Sequence, residues 1–449
     1  MLSLSPYQSD GVRWLSDRPR AILADDMGLG KTAQAIAAVR QSGARSCLVV
    51  CPKSLIGQWH GELSQWDPSR SVAWHVTNYE RVHHARATYD YVIVDESVKI
   101  KNPEAQRTAN VLIAVLKAPR VVFLTGTPIR NHPKDLFTMA AAIDTRLLIA
   151  RQLPLQSSLR KSYWRWVRRT FVVTPNMWGG YDIGDWLPGR EEEVQAWLGQ
   201  HMLRRTKALL KLPPLSREVV HIPYAPGQKE AVQAIQDSLL QVIQDDGTVE
   251  GQQLTNALQI LIRLRQANVD PSMIPSPGGS GKLNWLKQWW TDYQEITPKV
   301  ILFTSFARFA HRVGETLPHT SVYTGELSQS RREGVIAQFH EPGPRLMAMT
   351  AEAGAFGLNL QVADATIWSD LPWTPDTWEQ GTARMHRRGQ EKPCHEWILQ
   401  HPESVDGIVY RILQRKNRLA TRTLAAQKAV LAELKNQGGE RHERESVRA

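Results

Sequence analysis

The chain has 449 residues, enough for roughly two or three domains, and no apolar run in it approaches the roughly 20 residues a membrane helix needs. Lys and Arg number 55 against 44 acidic residues, a net charge of +11 that favours a polyanionic partner such as nucleic acid. Cys47, Cys51 and Cys394 are too few and wrongly spaced for a zinc cage, and an odd count argues against a disulfide framework.

No basic and apolar leader precedes Tyr7-Gln8, so the cytoplasm of a bacterium or of a host cell is the expected location. Ala21-Ile22-Leu23-Ala24 suits a buried strand, and Ala33 to Val39 has helical character. Between them residues 24–32 read Ala-Asp-Asp-Met-Gly-Leu-Gly-Lys-Thr. Gly28 and Gly30 allow a tight turn and a close approach to phosphate oxygens. Lys31 is expected to reach the β- and γ-phosphates, and the Thr32 hydroxyl to ligate Mg²⁺. The helix that follows aims its unpaired N–H groups at the same anion. Asp25 stands where the general phosphate-loop pattern has glycine. A glycine turn that merely precedes Lys-Thr is the plain alternative, and the strand and helix on either side favour the loop.

About 65 residues further on, the β-branched run Tyr91-Val92-Ile93-Val94 ends in Asp95-Glu96. That is the pattern of a buried parallel strand with carboxylates at its C-terminal edge. Asp95 is placed to hold Mg²⁺ and Glu96 to polarise the attacking water. Residues 1 to about 145 alternate strands and helices, as a parallel sheet flanked by helices requires. Residues 146–225 break this rhythm with the basic and aromatic segment Arg160 to Arg169, read as a helical protrusion of a first lobe spanning 1–225. Residues 226–268 read as long helices between lobes, and the inter-lobe segment extends to 297 through a Pro/Gly-rich loop at 271–281.

Val300 to Phe306 reads as the first strand of a second lobe, 298–413, followed by Tyr323-Thr324-Gly325; residues 414–449 are a helical, then polar tail. Residues 380–390, Gln-Gly-Thr-Ala-Arg-Met-His-Arg-Arg-Gly-Gln, set Arg384 and Arg387 three apart, about 350 residues from the phosphate loop. A nucleotide held by one piece of chain and completed by arginines of another is how a two-lobed motor couples hydrolysis to movement. The residues therefore point to an ATP-driven nucleic-acid motor. Of 16 tryptophans, Trp373 and the pair Trp289-Trp290 are candidates for stacking on bases, the rest for packing.

From these motifs the chain resembles the Swi/Snf-related branch of superfamily-two helicase-like ATPases, and the likeness covers nearly all of it. Tyr7-Gln8 before Gly11 to Leu15 resembles the adenine-reading element, Asp26 to Thr32 the phosphate loop, and Val50-Cys51-Pro52-Lys53-Ser54-Leu55 the first DNA-contacting motif. Thr77-Asn78-Tyr79-Glu80 is similar to another strand-contacting turn, and Leu124-Thr125-Gly126-Thr127-Pro128-Ile129 to the coupling motif. Leu203 to Lys207, Leu212-Pro213-Pro214 and Leu264-Arg265-Gln266 look like bridging segments of this branch. Ala353 to Leu360 resembles the motif that touches both strand and nucleotide, and Asp370-Leu371-Pro372-Trp373-Thr374-Pro375 the Asp-x-x-Trp-Asn-Pro element. Departures are Ser97-Val98 where the family has Ala-His, Ala355 for Gly and Thr374 for Asn. The missing His bears on coupling, not on hydrolysis. Without long insertions or histone-reading appendages, the chain resembles compact bacterial and viral members more than nuclear ones.

The resemblance implies an α/β fold of two RecA-like lobes, parallel sheets flanked by helices, with helical insertions between them. It implies ATP contacts at Gln8, Asp26, Met27, Gly28, Leu29, Gly30, Lys31, Thr32 and Gly357, and Mg²⁺ at Thr32 and Asp95. Catalysis would fall to Lys31, Glu96, Gln380, Arg384 and Arg387, the last two as arginine fingers, each worth roughly 10³ to 10⁵ in turnover in related chemistry. DNA contacts would come from Lys53, Thr77, Asn78, Ser305, Thr350 and Trp373. The expected function is translocation on duplex or branched DNA driven by ATP and Mg²⁺. A strand-separating DNA or RNA helicase and a nucleotide-gated DNA clamp with weak hydrolysis are the alternatives.

Overall fold

The structure is a computed structural model that describes residues 3–85, 87–126, 133–148, 155–175, 181–244, 251–275, 278–295, 299–343, 345–354, 358, 360–414 and 426–436. The chain divides into two compact units, Met1–Lys211 and Leu212–Ala449.

In the first unit α1 (Pro6–Ser16), β1 (Arg20–Leu23), α2 (Lys31–Gln41), β2 (Ser46–Cys51), α3 (Ile56–Trp66) and β3 (Ala73–Asn78) come first. They are followed by β4 (Tyr91–Asp95), α4 (Gln106–Lys117), β5 (Arg120–Leu124) and α5 (Phe137–Ile143). The strands pair in the order β3-β2-β4-β5-β1, all parallel. Runs such as Val92-Ile93-Val94 are wholly buried because helices cover both faces. Cys47 and Cys51 are buried in β2 and serve its packing. After α6 (Leu155–Thr170), the strands β6 (Phe171–Pro175) and β7 (Tyr181–Trp186) form a separate antiparallel hairpin. Then α7 (Arg190–His201) returns the chain to the sheet as β8 (Met202–Leu203), parallel to β1 at its edge.

The second unit opens with β9 (Leu215–His221), α8 (Gln228–Gln244), α9 (Gly251–Val269) and α10 (Gly281–Tyr293). Next come β10 (Lys299–Thr304), α11 (Ala307–Thr316), β11 (Thr320–Tyr323), α12 (Gln329–His340) and β12 (Arg345–Thr350). It ends with α13 (Ala351–Gly354), β13 (Ala365–Trp368), α14 (Pro375–Met385), β14 (Cys394–Gln400), α15 (Val405–Gln414) and a helix at residues 426–436. The sheet order is β11-β12-β10-β13-β14-β9, again all parallel. Alternation along β10 sends Ile301 and Phe303 to one face, with α8, α9, α14 and α15, and Val300 and Leu302 to the other, with α10 and α11.

Two boundaries differ from the sequence expectation. Residues 212–225, read with the first lobe, supply β9, which pairs along its whole length with β14 of the second unit. The helices of 226–268, read as lying between lobes, bury Val232, Leu239, Leu261 and Leu264 in the same core as Phe303 and Trp368. An amphipathic pattern shows that a helix has an apolar face, and it does not say which sheet that face meets. Among the described residues no helix is long and apolar enough to cross a membrane, and no group of three or more His, Cys, Asp or Glu could hold a metal ion.

Candidate active site

Strand register brings the first unit's motifs to one sheet edge. β5 lies between β1 and β4 and sets Leu23 and Asp95 both opposite Leu124. The loop after β1, Thr125-Gly126 after β5 and Asp95-Glu96 therefore leave the sheet at the same level, the carboxyl edge where open parallel sheets take ligands. Within the loop Gly28 and Gly30 have φ of 88° and 71°. Glycine adopts that region without Cβ strain. A Cβ on Gly30 would also meet Gln8 Nε2 at 2.3 Å. Helix α2 starts directly after Gly30 at Lys31, so its unpaired N–H groups face the loop.

Lys31 Nζ donates to the Asp25 carbonyl at 2.7 Å and to that of Asp26 at 3.4 Å. Burial lowers its pKa, while Glu96, Asp95, Asp25 and Asp26 pull the other way. Thr32 is half-buried in the first turn of α2. A side chain on Gly126 would meet Met27 Cγ at 3.2 Å, so the turn after β5 lies against the loop. Asp26 accepts the Lys207 N–H at 3.0 Å. The Leu29 carbonyl accepts from Tyr7 Oη at 3.3 Å and from Gln8 Nε2 and Gln34 Nε2, each at 3.2 Å.

Asp95 is half-buried at the end of β4. One of its oxygens accepts Trp59 Nε1–H at 2.9 Å and the other the Glu96 N–H at 2.9 Å. Burial and the adjacent Glu96 carboxylate push its pKa up to about 6, against the pull of Trp59 and Lys31. Glu96 itself sits at φ 51°, a left-handed conformation that costs a non-glycine residue about 1 kcal/mol or more and clusters at working sites. The Tyr79 hydroxyl donates to the carbonyls of Asp95 and Glu96 and braces the turn. Val98, where the family has His, is buried beside it.

Trp59 and Tyr79 are not legible in the sequence as parts of this site. Tyr79 falls in the segment read as strand-contacting, yet it is 1% exposed and its hydroxyl is spent on the carboxylate turn. The expected DNA contacts of the first unit sit at strand ends. Lys53 is exposed after β2, while Thr77 and Asn78 end β3 and are buried. Asn78 Oδ1 accepts the N–H groups of Glu80 and Arg81 at 3.1 and 2.9 Å.

In the second unit register again aligns the motif residues. Thr304 lies opposite Thr350, and Phe303 opposite Trp368, so Ser305, Thr350 and Asp370 emerge at one edge. Ser305 is exposed and its N–H donates to Asp370 Oδ1 at 3.0 Å. Buried Arg265 donates to Asp370 Oδ2 at 2.8 Å and to the Leu371 carbonyl, and its guanidinium lies 4.2 Å from the ring centre of half-buried Trp373. In the sequence Arg265 reads only as part of a bridging segment; here it holds two expected DNA contacts together. On α14 Gln380 is buried, Arg384 is half-buried and donates to the Leu358 carbonyl at 3.4 Å, and Arg387 is half-buried just beyond the helix. Gly357, Thr127, Pro128 and Ile129 lie outside the described residues. Trp289 and Trp290 are 5% and 1% exposed and pack in the core with Leu286 and Trp397, which corrects the expectation that this pair stacks on bases.

The SNF2-related domain matches residues 7–84 and 71–273, and the helicase conserved C-terminal domain matches residues 281–389. The chain is 26% identical to the chromodomain-helicase-DNA-binding protein 1-like of Danio rerio over 93% of its own length and 44% of that protein's. It is also 26% identical to the putative ATP-dependent helicase/translocase YwqA of Bacillus subtilis, over 93% of its length and 48% of that protein's. It thus spans less than half the length of these curated relatives. Among solved structures it is similar to the Sulfolobus solfataricus SWI2/SNF2 ATPase core in complex with dsDNA, with 25% identity, a TM-score of 0.42, and 97% and 96% of the two chains covered. With more than half of its residues matched by the first of these domains, the chain belongs to the SNF2-related family of helicase-like ATPases, proteins that hydrolyse ATP.

Proposed function

We propose that this chain is a nucleic-acid-stimulated ATPase that couples hydrolysis to movement along duplex or branched DNA. The observation that carries the reading is the cluster at the carboxyl edge of the first sheet. A glycine-turned loop and helix start hold a half-buried Lys31 ammonium among four carboxylates, next to a strained Asp95-Glu96 turn. Loop N–H groups and Lys31 bind the triphosphate, and Tyr7 and Gln8, which donate to the Leu29 carbonyl of the loop, read the base. Thr32 and Asp95 are hard oxygen donors of the kind Mg²⁺ takes. Asp95, whose burial opposes its ionisation, gains from a nearby cation. When Mg²⁺ is bound, charge on the β- and γ-phosphate oxygens is neutralised. Glu96, in its fixed turn, orients the attacking water. Arg384 and Arg387 of the second unit act on the charge that develops in transfer. Lys53, Thr77, Asn78, Ser305, Thr350 and Trp373, at the sheets' carboxyl edges, are the candidate contacts to the DNA strand.

The Danio rerio relative is a DNA-binding protein by its name, and the net charge of +11 suits a polyanionic track. The test compares ATP turnover with duplex DNA, single strands, RNA and no nucleic acid. Stimulation by duplex DNA is expected. Stimulation by RNA alone overturns the reading, and absence of turnover with Mg²⁺ and every nucleic acid favours the clamp.

A further inference from the structure

The phosphate loop is tied to a segment 180 residues away through one arginine. Asp25, the residue in place of the general pattern's glycine, is fully buried at the foot of the loop. The Arg205 guanidinium forks onto it, Nε to Oδ1 at 3.0 Å and Nη2 to Oδ2, and the Arg205 N–H adds a bond to Oδ1 at 3.1 Å. The same guanidinium donates to Gln34 Oε1 at 2.6 Å and to the Tyr7 carbonyl, and its carbon lies 5.3 Å from the centre of the Tyr7 ring. Gln34 closes the circuit by donating to Asp25 Oδ2 at 3.1 Å and to the Leu29 carbonyl. Space here is full: a Cβ on Gly11 would meet Gln34 Oε1 at 2.0 Å and Arg205 Nη2 at 2.7 Å. The backbone follows, with Ala24 N–H on the Leu203 carbonyl at 2.7 Å and Asp26 N–H on that of Arg205 at 2.9 Å.

We propose that Arg205 is a positioning residue for nucleotide binding, whose fork on Asp25, Gln34 and the Tyr7 carbonyl sets how the α1 segment bearing Tyr7 and Gln8 meets the phosphate loop. A planar fork can hold a carboxylate, an amide and a carbonyl at fixed mutual angles, which a lysine ammonium cannot. Arg205 touches no reacting atom in this scheme. It acts through the loop and through Tyr7, so its removal loosens the bound nucleotide in ground state and transition state alike. Such a loss raises KM and leaves kcat nearly alone.

The proposal rests on reading residues 24–32 as the phosphate loop, and Lys31→Ala is the control for that reading. Arg205→Lys and Asp25→Asn are compared with the parent for ADP affinity, for KM and kcat with ATP, and for melting temperature. Each is expected to weaken ADP binding and raise KM about tenfold while kcat falls by less than about threefold. The double variant is expected to weaken binding no further than Arg205→Lys alone, since that change already removes the fork on Asp25. Unchanged affinity in variants that melt lower, or a fall in kcat with KM unchanged, overturns the proposal. If Arg205→Lys does not fold, the isosteric Asp25→Asn reads the same contact, and failure of both to fold assigns the pair to folding alone and overturns it. If Lys31→Ala binds ADP and ATP as the parent does, the phosphate-loop reading itself is at fault, whatever the Arg205 variants do.

Discussion

Lys31, Asp95 and Glu96 divide the proposed work by their surroundings. Lys31 is a donor held inside the loop by carbonyls and neighbouring acids; under the proposed mechanism its loss deprives the phosphates of their cation. Lys31→Ala is therefore expected to lower ATP affinity and turnover together, each by about 10²-fold or more, read by nucleotide titration and by phosphate release. In the proposed mechanism Glu96 has a different task, since its carboxylate is needed only once water attacks. Glu96→Gln should keep ATP affinity within about threefold and cut turnover by about 10² to 10⁴, the usual worth of a positioned base. Near-parental turnover in Glu96→Gln sinks the water-orienting role. That both residues leave the sheet at one edge was legible, because strand, turn and carboxylate pair are local in sequence. Trp59, which fixes Asp95 from 36 residues away, was not, because only the packing of α3 on the sheet brings its indole there.

Helices α8 to α10 and β14 bury a polar network in the second unit. Gln228 Oε1 accepts the N–H groups of Ala225 and Gly281, so its Nε2 must donate, and it does so to the Ala267 and Asn268 carbonyls and to His401 Nε2. His401 Nδ1 faces the Ile222 carbonyl at 2.8 Å and must carry the ring proton. A second proton on Nε2 would point at a donor. The ring is 1% exposed and stacks on Tyr224, with Lys282 and its partner Asp406 close by. Burial and the Lys282 charge lower the His401 pKa from 6.5 to about 4. The unfolded chain thus takes up this proton first, and stability is full above pH 6.5 and declines as pH falls toward about 4. The loss amounts to about 3 kcal/mol at most, and His401→Gln should flatten the slope of urea midpoint against pH across that window. An unaltered slope moves the effect to another group. Lys282→Met, which strands the buried Asp406 carboxylate, should cost about 3 kcal/mol or more in the same assay. None of this network shows in the sequence. Lys282 follows directly on the Pro/Gly-rich loop, and its burial arises only once α10 packs on the sheet. The same holds for Trp289 and Trp290, whose chemistry suits a base as well as a core.

At the scale of the molecule, the order of motifs was legible because each is a short strand-end segment whose chemistry is local, and two all-parallel sheets follow from strands alternating with helices. The unit boundary at Lys211 was not, because β9 is a half-exposed strand whose partner β14 lies almost 180 residues downstream. Two predictions belong here. A motor that tracks backbone phosphates displaces counterions, so DNA affinity should fall steeply with salt, by a log–log slope of about −0.9 for each phosphate neutralised, with little base preference. An affinity flat between low and moderate salt contradicts backbone tracking.

The second concerns the arginines of α14 and its C-terminal turn, carried by a unit other than the one that bears the phosphate loop. Under the proposed mechanism they meet the nucleotide only as charge develops in transfer. A contact that strengthens in the transition state lowers kcat when lost and leaves ground-state affinity alone. Arg384→Ala and Arg387→Ala should each cut DNA-stimulated turnover by roughly 10³-fold, the low end for arginine fingers. Nucleotide affinity and DNA affinity should stay within about threefold of the parent, because neither ground-state site uses these side chains. Equilibrium titrations with ATP analogue and labelled duplex, run beside phosphate release, separate the three quantities. If the variants lose DNA binding and keep basal hydrolysis, the arginines belong to the track surface, and transfer must be completed by groups of the first unit.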